Sequence, residues 1–133
     1  MIWTTNFAHA KDLPDTVAKF SIALKSVPGW NNNPEHSYYK KLMPTYDILK
    51  NFKEKGDEEE YTKQYYSKIL NRLDTSMVVF QLEQMAMYRN CKDIALICYE
   101  RPEKFCHRHL VADWLNANGF TCKEYDYEKE NLK

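Results

Sequence analysis

Short, dense apolar runs alternate along this chain with longer stretches in which apolar residues recur every three or four positions. IWTTNF (residues 2–7) is rich in β-branched and aromatic side chains and predicts a first strand. KDLPDT follows as a turn, with Pro14 and Asp15 as breakers. AKFSIALK (18–25) predicts a second strand, although its alanines leave a helix open over so short a run. DIALICY (93–99) is apolar almost throughout, the pattern of a central strand covered on both faces. TCKEYDYE (121–128) alternates and predicts a last strand at a sheet edge.

The helical periods lie between these runs. Pro44 suits a first helical turn, Tyr46, Ile48, Leu49 and Phe52 supply apolar contacts, and Gly56 is a natural stop. Asp57 with Glu60 three residues later has the form of a capping box, and Glu58 and Glu59 add negative charge at the positive helix end. Tyr61, Tyr65, Tyr66, Ile69, Leu70 and Leu73 then form one face. Asp74 or Thr75 caps a third helix running through Met87, with Val78, Leu82, Met85 and Ala86 inward. A last helix from about Cys106 to Asn118 turns Leu110, Val111, Trp114 and Leu115 inward and stops at Gly119. Residues 26–43 show neither period, yet contain Trp30, Tyr38 and Tyr39, so they predict a long ordered flap.

Strands separated by helices predict an α/β fold: a small three-layer domain with a mostly parallel sheet of about four strands and helices packed on it. One domain spans residues 1–133, with 129–133 as a frayed tail. In such sheets ligands collect at the carboxyl ends of the strands. That rule draws Thr5, Asn6, Lys25, Ser26, Tyr99, Glu100 and the start of the last helix to one edge.

Composition narrows the function less than the pattern does. The 19 basic and 19 acidic residues cancel, so the total charge does not favour nucleic acid as a partner. No segment approaches the roughly 20 apolar residues of a membrane span, and the start lacks a secretory leader, so a cytoplasmic location is expected. The four cysteines include no CxxC pair and predict reduced thiols. The sequence leaves the oligomeric state open.

The chemistry concentrates at Cys106-His107-Arg108-His109. Basic residues on the first turn of a helix oppose its dipole unless an anion lies between them. That anion is either a bound phosphate or carboxylate, or internal, with Glu100 and Glu103 of the preceding loop neutralising Arg108. Cys106, at a helix N-terminus beside basic groups, meets conditions that make a thiol reactive. Its helical phase with Leu110 and Trp114 equally fits an inert core residue. Cys98 reads as strand packing, and Cys91 and Cys122 as structural. Cys98, Cys106, His107 and His109 are zinc-type ligands in kind, but residues 106, 107 and 109 fan out over most of a helical turn. No metal and no cofactor is therefore expected. GxGxxG, P-loop and GxSxG motifs are absent, and a Cys-x5-Arg loop fails because Lys104 and Ala112 stand at the two possible arginine positions.

IWTTNFA, FSIALKSVPGW, YYKKLMPTYDILKNFKEKGDEEEYTKQYY and LICYERPEKFCHRHLVADWL together resemble the bacterial and phage family catalogued as domain of unknown function 488. The specific part is Cys-Tyr-Glu, a short loop, then Cys-His-Arg-His-Leu-Val-Ala. The resemblance implies an α/β fold in an intracellular prokaryotic or viral setting and supplies no reaction. It marks Cys98, Tyr99, Glu100, Cys106, His107 and Arg108 as site positions. Where the family's second strand often ends in arginine, this chain has Lys25, which keeps the charge without the bidentate geometry.

Two functions follow. One is an enzyme acting on a small anionic or nucleotide-like substrate, with Cys106, His107 and Glu100 catalytic and Arg108, Tyr99, Asn6, Lys25, Ser26 and Trp30 binding it. The other is a non-catalytic module that reads a nucleotide, a modified base or a nucleic-acid end, favoured locally by Tyr38-Tyr39-Lys40-Lys41.

Overall fold

The computed structural model describes residues 1–131. Among these residues five strands form one sheet: β1 (Ile2–Asn6), β2 (Val17–Ser21), β3 (His36–Tyr38), β4 (Asp93–Cys98) and β5 (Cys122–Glu124). Their order is β3-β2-β4-β1-β5 and every pairing is parallel. The fold is thus the α/β type that the pattern predicts, with β4 in the middle and β5 at an edge. The fifth strand, β3, comes from inside the segment expected to be a loop. Its three residues are too few for a period to show, and Tyr39, which follows, is buried.

Among the described residues, α1 (Phe7–Ala10), α2 (Tyr46–Lys55), α3 (Glu58–Lys68), α4 (Thr75–Tyr88) and α5 (His107–Ala117) connect the strands, and α6 (Tyr127–Asn131) follows the last one. The starts of α2, α3 and α4 follow signals in the sequence, whereas the pattern does not predict α1, and α6 takes Tyr127 and Glu128 from the expected last strand. Thr45, Asp57 and Asp74 each accept a backbone N–H of the first turn of α2, α3 and α4, and Gly56 ends α2 at φ +64°. The tail expected to fray is helical as far as Asn131; residues 132 and 133 lie outside the described residues.

The two sheet faces are covered unequally. Ile94, Leu96 and Cys98 of β4 join the larger core, which α2 to α5 fill through Ile48, Tyr65, Leu82 and Leu115, among others. Ala95 and Ile97 point to the opposite face, where Ala10, Leu13 and Trp30 close a smaller one. This alternation is the period of two that a strand imposes. Of the described residues, no helix is long and apolar enough to cross a membrane.

The strand order also fixes where a ligand can sit. From β2 the chain moves outward to the edge strand β3, whereas from β4 it crosses β1 to reach β5. Connections that leave two neighbouring strands in opposite directions open a crevice at their carboxyl ends. Here that crevice lies between the segment after Ser21 and the segment after Cys98.

Candidate active site

A cleft of about 530 Å³ occupies that position. Ala23, Leu24 and Lys25 enter it after β2, and Cys98, Tyr99 and Glu100 at the end of β4. Cys106 and His107 come from the start of α5, while α2 supplies Tyr46, Lys50 and Lys53 on one stripe. Phe52, Tyr61 and Phe105 pack edge-on and tilted against one another at centroid distances of 5.1–5.4 Å and make an aromatic wall. Tyr46 and Tyr99 are exposed at the opening, at 67% and 50%, and the Tyr99 ring also packs tilted on Phe7 at 4.7 Å. Three lysines and one carboxylate, Glu100, line the opening, so the charged groups around it favour an anion.

The floor holds the reactive groups. Cys106 is the N-cap of α5, in extended conformation, and its sulfur is bridged to that of Cys98 in a disulfide. Both cysteines are buried. This corrects the reduced-thiol expectation for the pair and the reading of Cys98 as mere packing. Sequence spacing conceals the encounter because β4 and α5 are separated by an eight-residue interval that folds back on itself.

His107 is buried, and its Nε2 lies 2.7 Å from the carbonyl of Ile22. A carbonyl only accepts, so Nε2 carries the proton and Nδ1 keeps the lone pair. Burial pushes the imidazole down to about 4, and the nearby Arg108 and His109 push the same way, while the Ile22 hydrogen bond opposes them. His107 is therefore a neutral base near pH 7. One ring nitrogen of His107 and the two cysteine sulfurs lie within 4.8 Å of one another.

Arg108 is fully buried and does not line the cleft. Its Nε and Nη2 donate to the two carboxylate oxygens of Glu124, each at 3.0 Å, and its Nη1 donates to Cys98 Sγ at 3.3 Å. Thr4 Oγ1 donates to the same carboxylate at 2.6 Å. The internal partner of Arg108 is thus Glu124 of β5. Glu103 instead meets Arg101 at the surface, and Glu100 stands exposed at the cleft mouth. His109, expected to face solvent, is half-buried with Nδ1 4.0 Å from Glu124, and its Nε2 has no hydrogen-bond partner among the described residues.

The structure therefore gathers Cys106, His107, Glu100, Tyr99 and Lys25 around one cleft. It places the other site residues elsewhere. Asn6 Oδ1 accepts the N–H of His9 at 2.9 Å and caps α1. Ser26 donates to Ser21 at 2.6 Å. Trp30 is buried in a second cleft, donating from Nε1 to the Ser37 carbonyl at 2.7 Å and stacking on His36 at 3.9 Å. Tyr39 is buried with its hydroxyl on Gln81, which removes it from the aromatic–lysine patch at 38–41. Cys91 and Cys122 are buried away from the floor; desolvation raises the Cys91 thiol and pushes Cys122 up to about 12.

Sequence reasoning missed Tyr46, Lys50 and Lys53. Their spacing, i, i+4 and i+7, marks one face of α2, but only the packed structure turns that face toward the cleft. A family model described as the active DUF488-N3 subclade matches residues 13–119. No curated protein and no solved structure matches the chain.

Proposed function

This chain belongs to the DUF488 family, and on that footing we propose that it is an enzyme acting on a small anionic, nucleotide-like substrate. The observation that carries the proposal is the meeting of two cysteine sulfurs and a neutral imidazole on the floor of an aromatic, lysine-rimmed cleft. The wording of the matched subclade, "active", agrees with it.

Each part of the cleft has a role in this reading. The exposed Tyr46 and Tyr99 receive a planar group, and Lys25, Lys50 and Lys53 hold the anion. Apolar walls exclude water and strengthen every electrostatic contact inside. Reduced Cys98, Cys106 and His107 form the reacting centre. Cys106 sits at the positive end of α5, and the Arg108 guanidinium on Cys98 favours the thiolate there. His107 Nδ1 accepts a proton, while its bond to Ile22 keeps the ring in place. Glu100, at the mouth, exchanges protons with the bound substrate.

The test is a turnover screen of the reduced protein across nucleotides, nucleosides and phosphoesters, with Cys106→Ala as control. Turnover that Cys106→Ala abolishes supports the reading; turnover that the variant retains, or none at all, counts against it. The exposed Tyr46 and Tyr99 beside lysines also suit a non-catalytic module for a nucleotide, a modified base or a nucleic-acid end. Saturable binding without turnover favours that second reading, and affinity that falls steeply with salt points to a nucleic-acid end.

A further inference from the structure

We propose that, when Cys98 and Cys106 are reduced, Cys98, Cys106 and His107 bind one divalent, zinc-type ion whose fourth position opens into the cleft. This names an occupant of the reacting centre above and rests on that location, but not on the substrate class; with the ion bound, the His107 lone pair and both sulfurs are ligands, so Glu100 rather than His107 moves protons.

The donor set comes first. The three ligand atoms are buried and mutually within 4.8 Å, and tetrahedral zinc with sulfur and nitrogen ligands needs donors roughly 3.5–4 Å apart. The sequence makes this look improbable because residues 106, 107 and 109 fan out around a helix. The fold leaves out His109, which is drawn toward Glu124, and brings Cys98 of β4 to Cys106 and His107. The Cα atoms of Cys98 and Cys106 stand 7.5 Å apart, wider than the roughly 4.4–6.8 Å that disulfides usually span. The two sulfurs are bonded to each other in this state, and a backbone at that separation lets them part to the spacing an ion needs once they are reduced.

The surroundings fit as well. A metal-bound histidine generally donates its other N–H to a carbonyl or carboxylate, which fixes the tautomer and aims the free nitrogen. His107 does this through Nε2 to Ile22, leaving Nδ1 as the ligand atom. Coordinating sulfur must be deprotonated, and Arg108 Nη1 at 3.3 Å from Cys98 Sγ favours that form. Glu124 holds the guanidinium at both ends of its fork. All three ligands line the cleft, so the site has three protein donors and one free position, the arrangement of a catalytic rather than a closed structural zinc. Binding displaces the thiol protons of Cys98 and Cys106, and the neutral imidazole releases none. No redox change is involved once the thiols are free.

The experiment uses the full chain, reduced and freed of metal, titrated with Zn2+ and, as a spectroscopic probe, Co2+. One ion per chain is expected, with a thiolate-to-cobalt charge-transfer band in the near ultraviolet. Cys98→Ser and Cys106→Ser are each expected to weaken binding by more than the roughly 10–100-fold that outer-shell changes cause. Cys122→Ser should leave binding unchanged. A fold-independent check on the wild-type chain is alkylation: Zn2+ should protect Cys98 and Cys106. If the reduced wild type takes up no ion, or the cobalt band survives in both cysteine variants, the site does not exist. Uptake is read without substrate, so the two proposals fail separately. An ion bound by a chain that turns nothing over upholds the metal site and counts against the enzyme. Turnover by a reduced chain that takes up no ion overturns the metal site alone.

Discussion

The helix starts of α3 and α5 solve the same electrostatic problem in opposite ways. At α3, Asp57 accepts the N–H of Glu60 at 3.0 Å and three glutamates follow in the first turn, Glu58 and Glu59 exposed and Glu60 half-buried. Charge complements the dipole locally and the helix end needs no help from the rest of the fold. At α5, the N-cap is Cys106, no side chain caps the end, and His107, Arg108 and His109 fill the first turn. Two of those three are buried. Here the compensation is long-range: Ile22 accepts from His107 across 85 residues and Glu124 binds Arg108 across 16. A helix end assembled for stability can be local. One that departs from the electrostatic rule has to be held by distant elements, and this one also lines the cleft.

The contrast predicts how each end breaks. Glu124→Ala leaves a fully buried guanidinium without its carboxylate and should cost about 3–5 kcal/mol, read by urea denaturation. A loss below about 1 kcal/mol would mean that Arg108 finds water or another partner.

His107 gives the next effect. Its folded-state value, about 4, lies below the ordinary 6.5, so between those two pH values the unfolded chain binds a proton that the folded chain does not. This part of the stability is full above pH 6.5 and is lost as the pH falls toward about 4, amounting to about 3 kcal/mol. Denaturation across that window should show the slope in the wild type and its flattening in His107→Asn. Equal slopes in the two proteins would dismiss His107 as its source.

The α3 end should respond more mildly. Asp57→Ala removes one exposed cap and is expected to cost about 1 kcal/mol in a thermal or urea melt. A cost equal to that of Glu124→Ala would erase the distinction between local and long-range compensation.

The smallest effect on stability belongs to the cleft rim. Lys50→Glu with Lys53→Glu changes exposed α2 positions and should shift stability by no more than about 0.5 kcal/mol. The same pair of changes should sharply weaken binding of an anionic ligand, measured by calorimetry with a nucleoside monophosphate as probe.

How much of this was legible in the sequence depends on the range of the interaction involved. The apolar run at 93–99 fixed a central strand, because only burial on both faces tolerates such a run. Asp57, Asp74 and Gly56 marked helix ends, because caps act within one turn. The motif from Cys98 to Arg108 placed its residues at the carboxyl edge of the sheet, because strand ends and helix starts share it in a parallel α/β fold. Tertiary structure decided the rest. It turned three residues of the 26–43 segment into β3 by giving them β2 as a partner. It closed Cys98 onto Cys106 and assigned Glu124, rather than Glu100 or Glu103, to Arg108. It also sent Trp30 and Asn6 to other duties while turning one face of α2 toward the cleft. These contacts join residues far apart in the chain, and no local period or spacing encodes which distant partner a side chain meets.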